Sequence, residues 1–166
     1  MNEKNRVWWG IAVFTLLYPL VDLLVRYIPN PMVPNAVIAL NIIFPVVAGF
    51  FYGTRAGMLA GGLGTAIATL MSGSVFSGLA IFPHLVMGGT AGWVGKNRSE
   101  MLAGLTVLIG HGLNILFFVR TGMLKITAEN VGSMTLGLAT EATIDIIAII
   151  LVITLLKRWL YQTERW

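Results

Sequence analysis

The sequence predicts an all-α fold, a polytopic membrane bundle of six transmembrane helices with both termini on the cytoplasmic side. Three observations predict it. Of 166 residues, 57% are hydrophobic and 11% charged, where a soluble domain carries about 25% charged residues. The apolar residues fall into runs near the roughly 20 residues needed to cross the hydrocarbon core. Basic residues and tryptophans gather at alternate ends of those runs. A short chain cannot bury so much apolar surface within itself, so lipid is its expected solvent. The length accommodates one transmembrane domain, residues 1–166.

The first helix is expected from Trp8 to Tyr27. Lys4 and Arg6 precede it, as in a signal peptide, but Pro19 and Asp22 lie inside it and no small-x-small cleavage site follows. It therefore reads as a retained span. Pro29-Asn30-Pro31 and Pro34 end it, because proline cannot continue a helix. The second helix is expected from Asn35 to Tyr52, with Gly53-Thr54 as a tight turn and Arg55 at an interface. The third runs from Ala56 to Met71, and Ser72-Gly73-Ser74 forms the next loop. The fourth runs from Phe76 to Val94, with an interrupted start expected around Gly78 and Pro83; Lys96-Asn97-Arg98 closes it. The fifth runs from Met101 to Val119. The sixth runs from Met134 to Leu156 and ends in Lys157-Arg158.

Orientation follows from the Lys and Arg distribution. An inner N-terminus puts Lys4, Arg6, Arg55, Lys96, Arg98, Lys157, Arg158 and Arg165 in the cytoplasm, against Arg26, Arg120 and Lys125 outside. That asymmetry is the positive-inside pattern. Trp8, Trp9, Trp93, Trp159 and Trp166 fall at the same inner interface, where amphipathic rings belong. The net charge of +4 is thus accounted for by topology, and no nucleic-acid partner is expected.

Small residues recur every four positions at Gly53, Gly57 and Gly61, at Ala56, Ala60, Gly64 and Ala68, and at Gly88 and Gly92. This spacing lets helix backbones approach closely. It serves internal packing or a docking face for another subunit.

Polar residues inside a membrane are costly and mark candidate sites. Asp22, Asn41, Thr65, Thr69, His84, His111, Asn114, Glu141 and Asp145 fall in one band, roughly 15–22 Å above the inner interface at a rise of about 1.5 Å per residue. His111 and Asn114 share a helix face, as do Glu141 and Asp145 one turn apart. In antiparallel helices His111 sits level with Asp145, and Asn114 with Glu141. Asp22 pairs equally well with Arg26, and Thr65 and Thr69 with their own helix carbonyls. Two carboxylates one turn apart need a cation, a proton or a donor-rich ligand to offset them. The candidate substrate-binding residues are Asn41, His84, His111, Asn114, Glu141 and Asp145, with Phe76, Phe82, Phe117 and Phe118 as further pocket lining.

The absences narrow the function. There is no GxxxxGK[ST] loop, no HExxH, no GxSxG and no cysteine, so ATP hydrolysis by this chain, thiolate metal sites and a cysteine nucleophile are excluded. The histidines and acids show no metal-ligand signature, and neither a metal nor a cofactor is expected.

The stretch from Phe44 to Gly57, Phe-Pro-Val-Val-Ala-Gly-Phe-Phe-Tyr-Gly-Thr-Arg-Ala-Gly, followed by a Gly/Ala-rich helix and by Gly88-Gly89-Thr90-Ala91-Gly92-Trp93-Val94-Gly95-Lys96, resembles the substrate-binding S-components of energy-coupling factor (ECF) transporters. Such families share an apolar-Gly-x-Arg-x-Gly turn between helices 2 and 3 and a six-helix, termini-inside architecture. The resemblance implies a subunit of the plasma membrane that captures a vitamin or related micronutrient. It implies partnership with a transmembrane T-component and two cytosolic ATPases. In helix 1 this chain has Gly10 and Ala12 but lacks the alanine-x-x-x-alanine pattern that contacts the T-component. The docking residues implied are Gly10, Ala12, Gly57 and Gly61. The N-terminus lacks the histidine of the nickel and cobalt members. The partners expected are thus a small-molecule substrate, membrane lipid, the T-component and the ATPases, and no enzymatic activity is expected. Two other classes remain open: a small membrane enzyme acting on a lipid-like substrate through Glu141, Asp145 and His111, and an envelope scaffold docking partners through its glycine faces.

Overall fold

The computed structural model describes residues 2–30, 37–97 and 99–163. Pro31, Pro34, the expected helix start at Asn35, Arg98, Arg165 and Trp166 lie outside the described residues. Among the described residues there are six α-helices: α1 (Glu3–Val25), α2 (Ile43–Tyr52), α3 (Thr54–Ser72), α4 (Val75–Val94), α5 (Glu100–Arg120) and α6 (Val131–Thr163). The fold is all-helical, as expected.

Four stretches are long and apolar enough to cross a membrane: Val7–Val25, Val75–Asn97, Glu100–Arg120 and Val131–Trp159. At most 44% of any of these windows is buried within the chain. Leu16, Leu20, Leu24, Leu108, Leu116, Leu151 and Leu155 face outward instead. Apolar faces of this extent are what a lipid-facing bundle presents. α3 has 19 residues, but its glycines and threonines keep it less apolar than these four.

The second helix begins later than its sequence suggests. Val37 pairs with Pro29 in an isolated bridge, and Ile38 N–H donates to Ile28 O at 3.1 Å. Ala39 N–H donates to the Glu141 carboxylate at 3.2 Å. These amides are engaged outside helical geometry, so a 3-10 turn at Leu40–Ile42 precedes α2. α2 is only 10 residues long, with Pro45, Val46, Val47, Ala48 and Gly49 all buried. A helix buried all round is a core helix, and α2 packs against each of the other five. The Phe44–Gly57 stretch is therefore the hub of the bundle and its exit.

That exit is one residue wide. Gly53, with φ +89°, joins α2 directly to α3, in a backbone region that L-residues with a side chain rarely adopt. The α3–α4 contact is closer still. A Cβ on Gly57 would lie 2.0 Å from Gly88 O, and one on Gly61 2.3 Å from His84 O. The four-residue glycine spacing is thus an internal seam between α3 and α4.

α4 is continuous from Val75, capped by Ser74 Oγ accepting from Ser77 N at 3.3 Å. The expected interruption around Gly78 and Pro83 is absent. Pro83 is buried inside the helix, and a proline is tolerated there when neighbouring helices enclose the freed carbonyl. α6, at 33 residues, runs about 50 Å, beyond both ends of the expected span.

The start of α1 and the end of α6 lie at one end of the bundle. Gly10 packs on the Tyr52 ring, Trp8 and Arg55 line a common groove, and Lys157 near the end of α6 lies 4.9 Å over the Phe50 ring. Lys157 Nζ also meets Glu100 Oε1 at 2.5 Å. Trp8, Trp9, Trp93 and Trp159 are all exposed, on the helix ends that gather there.

Candidate functional site

The polar residues of the helices gather in two adjoining clusters and one surface chain. The first cluster joins α5 to α6. His111 Nε2 lies 3.1 Å from Asp145 Oδ2. Asp145 is fully buried and His111 is 8% exposed. Glu141, one helical turn before Asp145, is half-buried and accepts from Ala39 N–H. One ligating atom from each of His111, Glu141 and Asp145 lies within 4.8 Å of the others. Asn30 reaches the same region, with Nδ2 3.4 Å from Gly137 O and a hydrogen bond to Glu141. Asn30 and Ala39, both from the connection between α1 and α2, therefore pack across this turn of α6. Asp145 Oδ1 is buried with no hydrogen-bond partner.

The second cluster centres on His84 of α4. Tyr18 Oη lies 2.7 Å from His84 Nδ1, Thr65 Oγ1 lies 3.0 Å from the same nitrogen, and Asn114 Nδ2 lies 3.4 Å from Nε2. Thr65 already gives its hydroxyl proton to Gly61 O at 2.6 Å, so its oxygen acts as an acceptor here. With Asn114 donating to Nε2, the His84 proton sits on Nδ1 and is donated to Tyr18 or Thr65, while Tyr18 also bonds Thr65. This assignment satisfies both ring nitrogens. It leaves Asn114 Oδ1 buried without a partner.

The surface chain is Arg26–Asp22–Asn41. Arg26 Nη2 lies 2.6 Å from Asp22 Oδ2, and Asn41 Nδ2 donates to Asp22 Oδ1 at 2.8 Å. Asn41 Oδ1 is buried and unpaired.

The structure thus brings His111, Glu141 and Asp145 together, and it brings His84 and Asn114 together. Asn114 turns to His84 on α4 rather than to Glu141, because α5 packs between α4 and α6 and this residue lies on the α4 side. Asn41 joins Asp22 instead of either cluster. Thr69 bonds its own helix, at 2.8 Å from Thr65 O. The four phenylalanines pair along the α4–α5 flank, Phe76 with Phe118 at 5.3 Å and Phe82 with Phe117 at 5.7 Å between ring centroids. Phe76 and Phe82 are each 50% exposed and so face outward.

Of the implied docking residues, Gly57 and Gly61 are covered by α4 and Gly10 by Tyr52, so their small size serves close packing. Ala12 is exposed. Nearby, a groove of about 630 Å³ is lined by Val7, Trp8, Ile11, Tyr52, Arg55 and Leu59. It lies at the end of the bundle where α1 begins.

Tyr18 and Asn30 are the members that sequence reasoning missed, and Thr15 is buried one turn before Tyr18. Thr15, Tyr18 and Asp22 follow a three- and four-residue spacing on one face of α1, which places all three toward the interior. That periodicity was the available signal. Asn30 sits among prolines in a connecting segment, and nothing local points it at α6.

Among known proteins, no family model, curated protein or solved structure matches this chain.

The arrangement offers acceptors in excess. Asp145 Oδ1, Asn114 Oδ1 and Asn41 Oδ1 are buried and unsatisfied, and such atoms are costly unless something meets them. The set is suited to receiving donors or a cation.

Proposed function

We propose that this chain is the membrane-embedded capture subunit of an ECF-type importer for a vitamin or related small micronutrient. In this reading it lies in the plasma membrane as a six-helix bundle with both termini inside. α2 is sheathed by its neighbours and so needs no lipid-facing side; its 10 residues cover about 15 Å of the crossing, and residues 37–42 lead into it. A separate T-component and two cytosolic ATPases supply the energy. The observation that carries the reading is the unsatisfied, buried carboxylate oxygen of Asp145 beside His111 and Glu141. A chain that only had to span lipid would gain nothing from such a group. The Phe44–Gly57 stretch that resembles the S-components is also the hub of the packing, and the sequence has no ATP-hydrolysing loop of its own.

Substrate reaches this layer past the α1–α2 segment, whose Ala39 and Asn30 engage α6. Donor-rich or cationic parts of it meet Asp145, Glu141 and Asn114. The T-component docks on the outer face of α1 around Ala12 and the adjoining Trp8–Arg55 groove. Purified protein titrated with a broad vitamin panel is expected to bind one member at micromolar or lower concentration. Co-expression is expected to recover the T-component and ATPases with it. Failure of both would remove the reading.

One further reading rests on the 3.1 Å His111–Asp145 contact, which is the arrangement of an oriented general base. A membrane enzyme built on it would turn over a lipid-like substrate, whereas a capture subunit binds its ligand once and releases it unchanged.

A further inference from the structure

We propose that His111, Glu141 and Asp145 form a binding site for a single divalent cation of the zinc class. The site stands whether or not the chain belongs to an importer.

The donor set is the first argument. It comprises one imidazole nitrogen and two carboxylate oxygens, all within 4.8 Å of one another. Zinc accepts both donor types at about 2.0–2.2 Å, which sets neighbouring ligands about 3.4 Å apart. The His111–Asp145 pair already stands at 3.1 Å, so closing the triad needs only side-chain rotation at Glu141. Two carboxylates also balance the charge of a divalent ion, which a monovalent cation would leave half uncompensated.

The second argument is independent of the clustering. Asp145 is fully buried, and its Oδ1 has no hydrogen-bond partner. That oxygen belongs to the carboxylate that already touches His111. A buried carboxylate oxygen without a donor, beside an imidazole and a second carboxylate, calls for a cation or a donor to meet it.

The supports suit a metal site as well. Glu141 and Asp145 are one turn apart on α6, and His111 faces them from α5. Rigid helices hold such ligands more tightly than loops do. Glu141 is the half-buried member, and its Oε1 is held by Ala39 N–H. The cation therefore enters on the Glu141 side, beside Asn30 and Ala39, and comes to rest against Asp145. On binding, the proton shared between His111 and Asp145 leaves as the imidazole nitrogen turns to the metal.

The test uses the full chain purified in detergent and stripped with a chelator. Zinc chloride alone is titrated calorimetrically, and bound metal is counted after gel filtration. Cobalt(II) serves as an optical stand-in. The expected result is one zinc per chain, with visible cobalt bands of a nitrogen/oxygen site. Affinity should fall about a hundredfold or more in Asp145→Asn and at least about tenfold in Glu141→Gln. Glu141→Gln keeps the side-chain volume at a half-buried position, so it remains informative if Asp145→Asn or His111→Gln does not fold. Zinc binding that Glu141→Gln and His111→Gln both leave unchanged overturns the site, as does a wild-type chain that retains no zinc. A zinc signal in a chain that neither binds a vitamin nor recovers the T-component and ATPases would uphold this site while removing the importer reading. A bound vitamin without zinc would do the reverse.

Discussion

His111 Nε2 and Asp145 Oδ2 face each other at 3.1 Å across the α5–α6 contact, and the second oxygen of the same carboxylate meets nothing. The bundle therefore holds a fully buried acid half satisfied. Buried ionisable groups left in that state are rarely the most stable choice for a core.

Asp145→Asn is accordingly expected to separate stability from function. The amide keeps a hydrogen bond to His111 and removes the buried charge. Thermal unfolding in detergent should show a Tm unchanged or raised, while ligand binding is lost. A variant that unfolds several degrees earlier would mark Asp145 as a structural group.

Gly57→Ala is expected to destabilise the bundle by about 2–4 kcal/mol, because the new methyl would overlap the Gly88 carbonyl and neither helix can move without the other. Gly112→Ala is the matched control, since a Cβ there meets nothing within 4 Å. It should be neutral or stabilising by up to about 1 kcal/mol. Denaturant titrations of both variants in one detergent compare them.

Tyr18→Phe is expected to cost about 1–2 kcal/mol, by leaving His84 Nδ1 and Thr65 short of a partner in the interior. Combined with His84→Leu, it should show a coupling near 1 kcal/mol in a double-mutant cycle. Additive effects would place Tyr18 outside the His84 network.

The absence of cysteine makes topology directly testable. Glu129→Cys should react with a membrane-impermeant maleimide in intact cells, and Asn97→Cys only after permeabilisation. The opposite pattern would invert the bundle, and equal labelling would mean that the two sites share a side.

The helices, and the level at which His111 meets Asp145, were legible in the sequence. Hydrophobic runs give spans, and a constant rise per residue gives levels, so the His111–Asp145 pair could be located by counting along two antiparallel helices. Four-residue spacing offered Arg26 as one partner of Asp22, and the structure adds Asn41 as a second. The α2 start was not legible, because it is set by Ala39 N–H reaching a carboxylate 102 residues away. No local propensity encodes that contact. The partner of Asn114 was misplaced for a related reason: depth fixes the level of a side chain but not which neighbour its face meets. The Gly57 and Gly61 spacing correctly signals close approach, yet a repeat of small residues reads the same whether the partner is α4 or another subunit.

A polar layer that captures a small molecule should carry that molecule through purification. Native mass spectrometry of the intact chain, released gently from detergent, tests it most directly. The expected result is an organic adduct of vitamin size at one per chain, lost in Asp145→Asn while that variant stays folded. A folded wild-type chain that carries no such adduct after incubation with the vitamin panel, or one whose adduct survives Asp145→Asn and Glu141→Gln together, would contradict it.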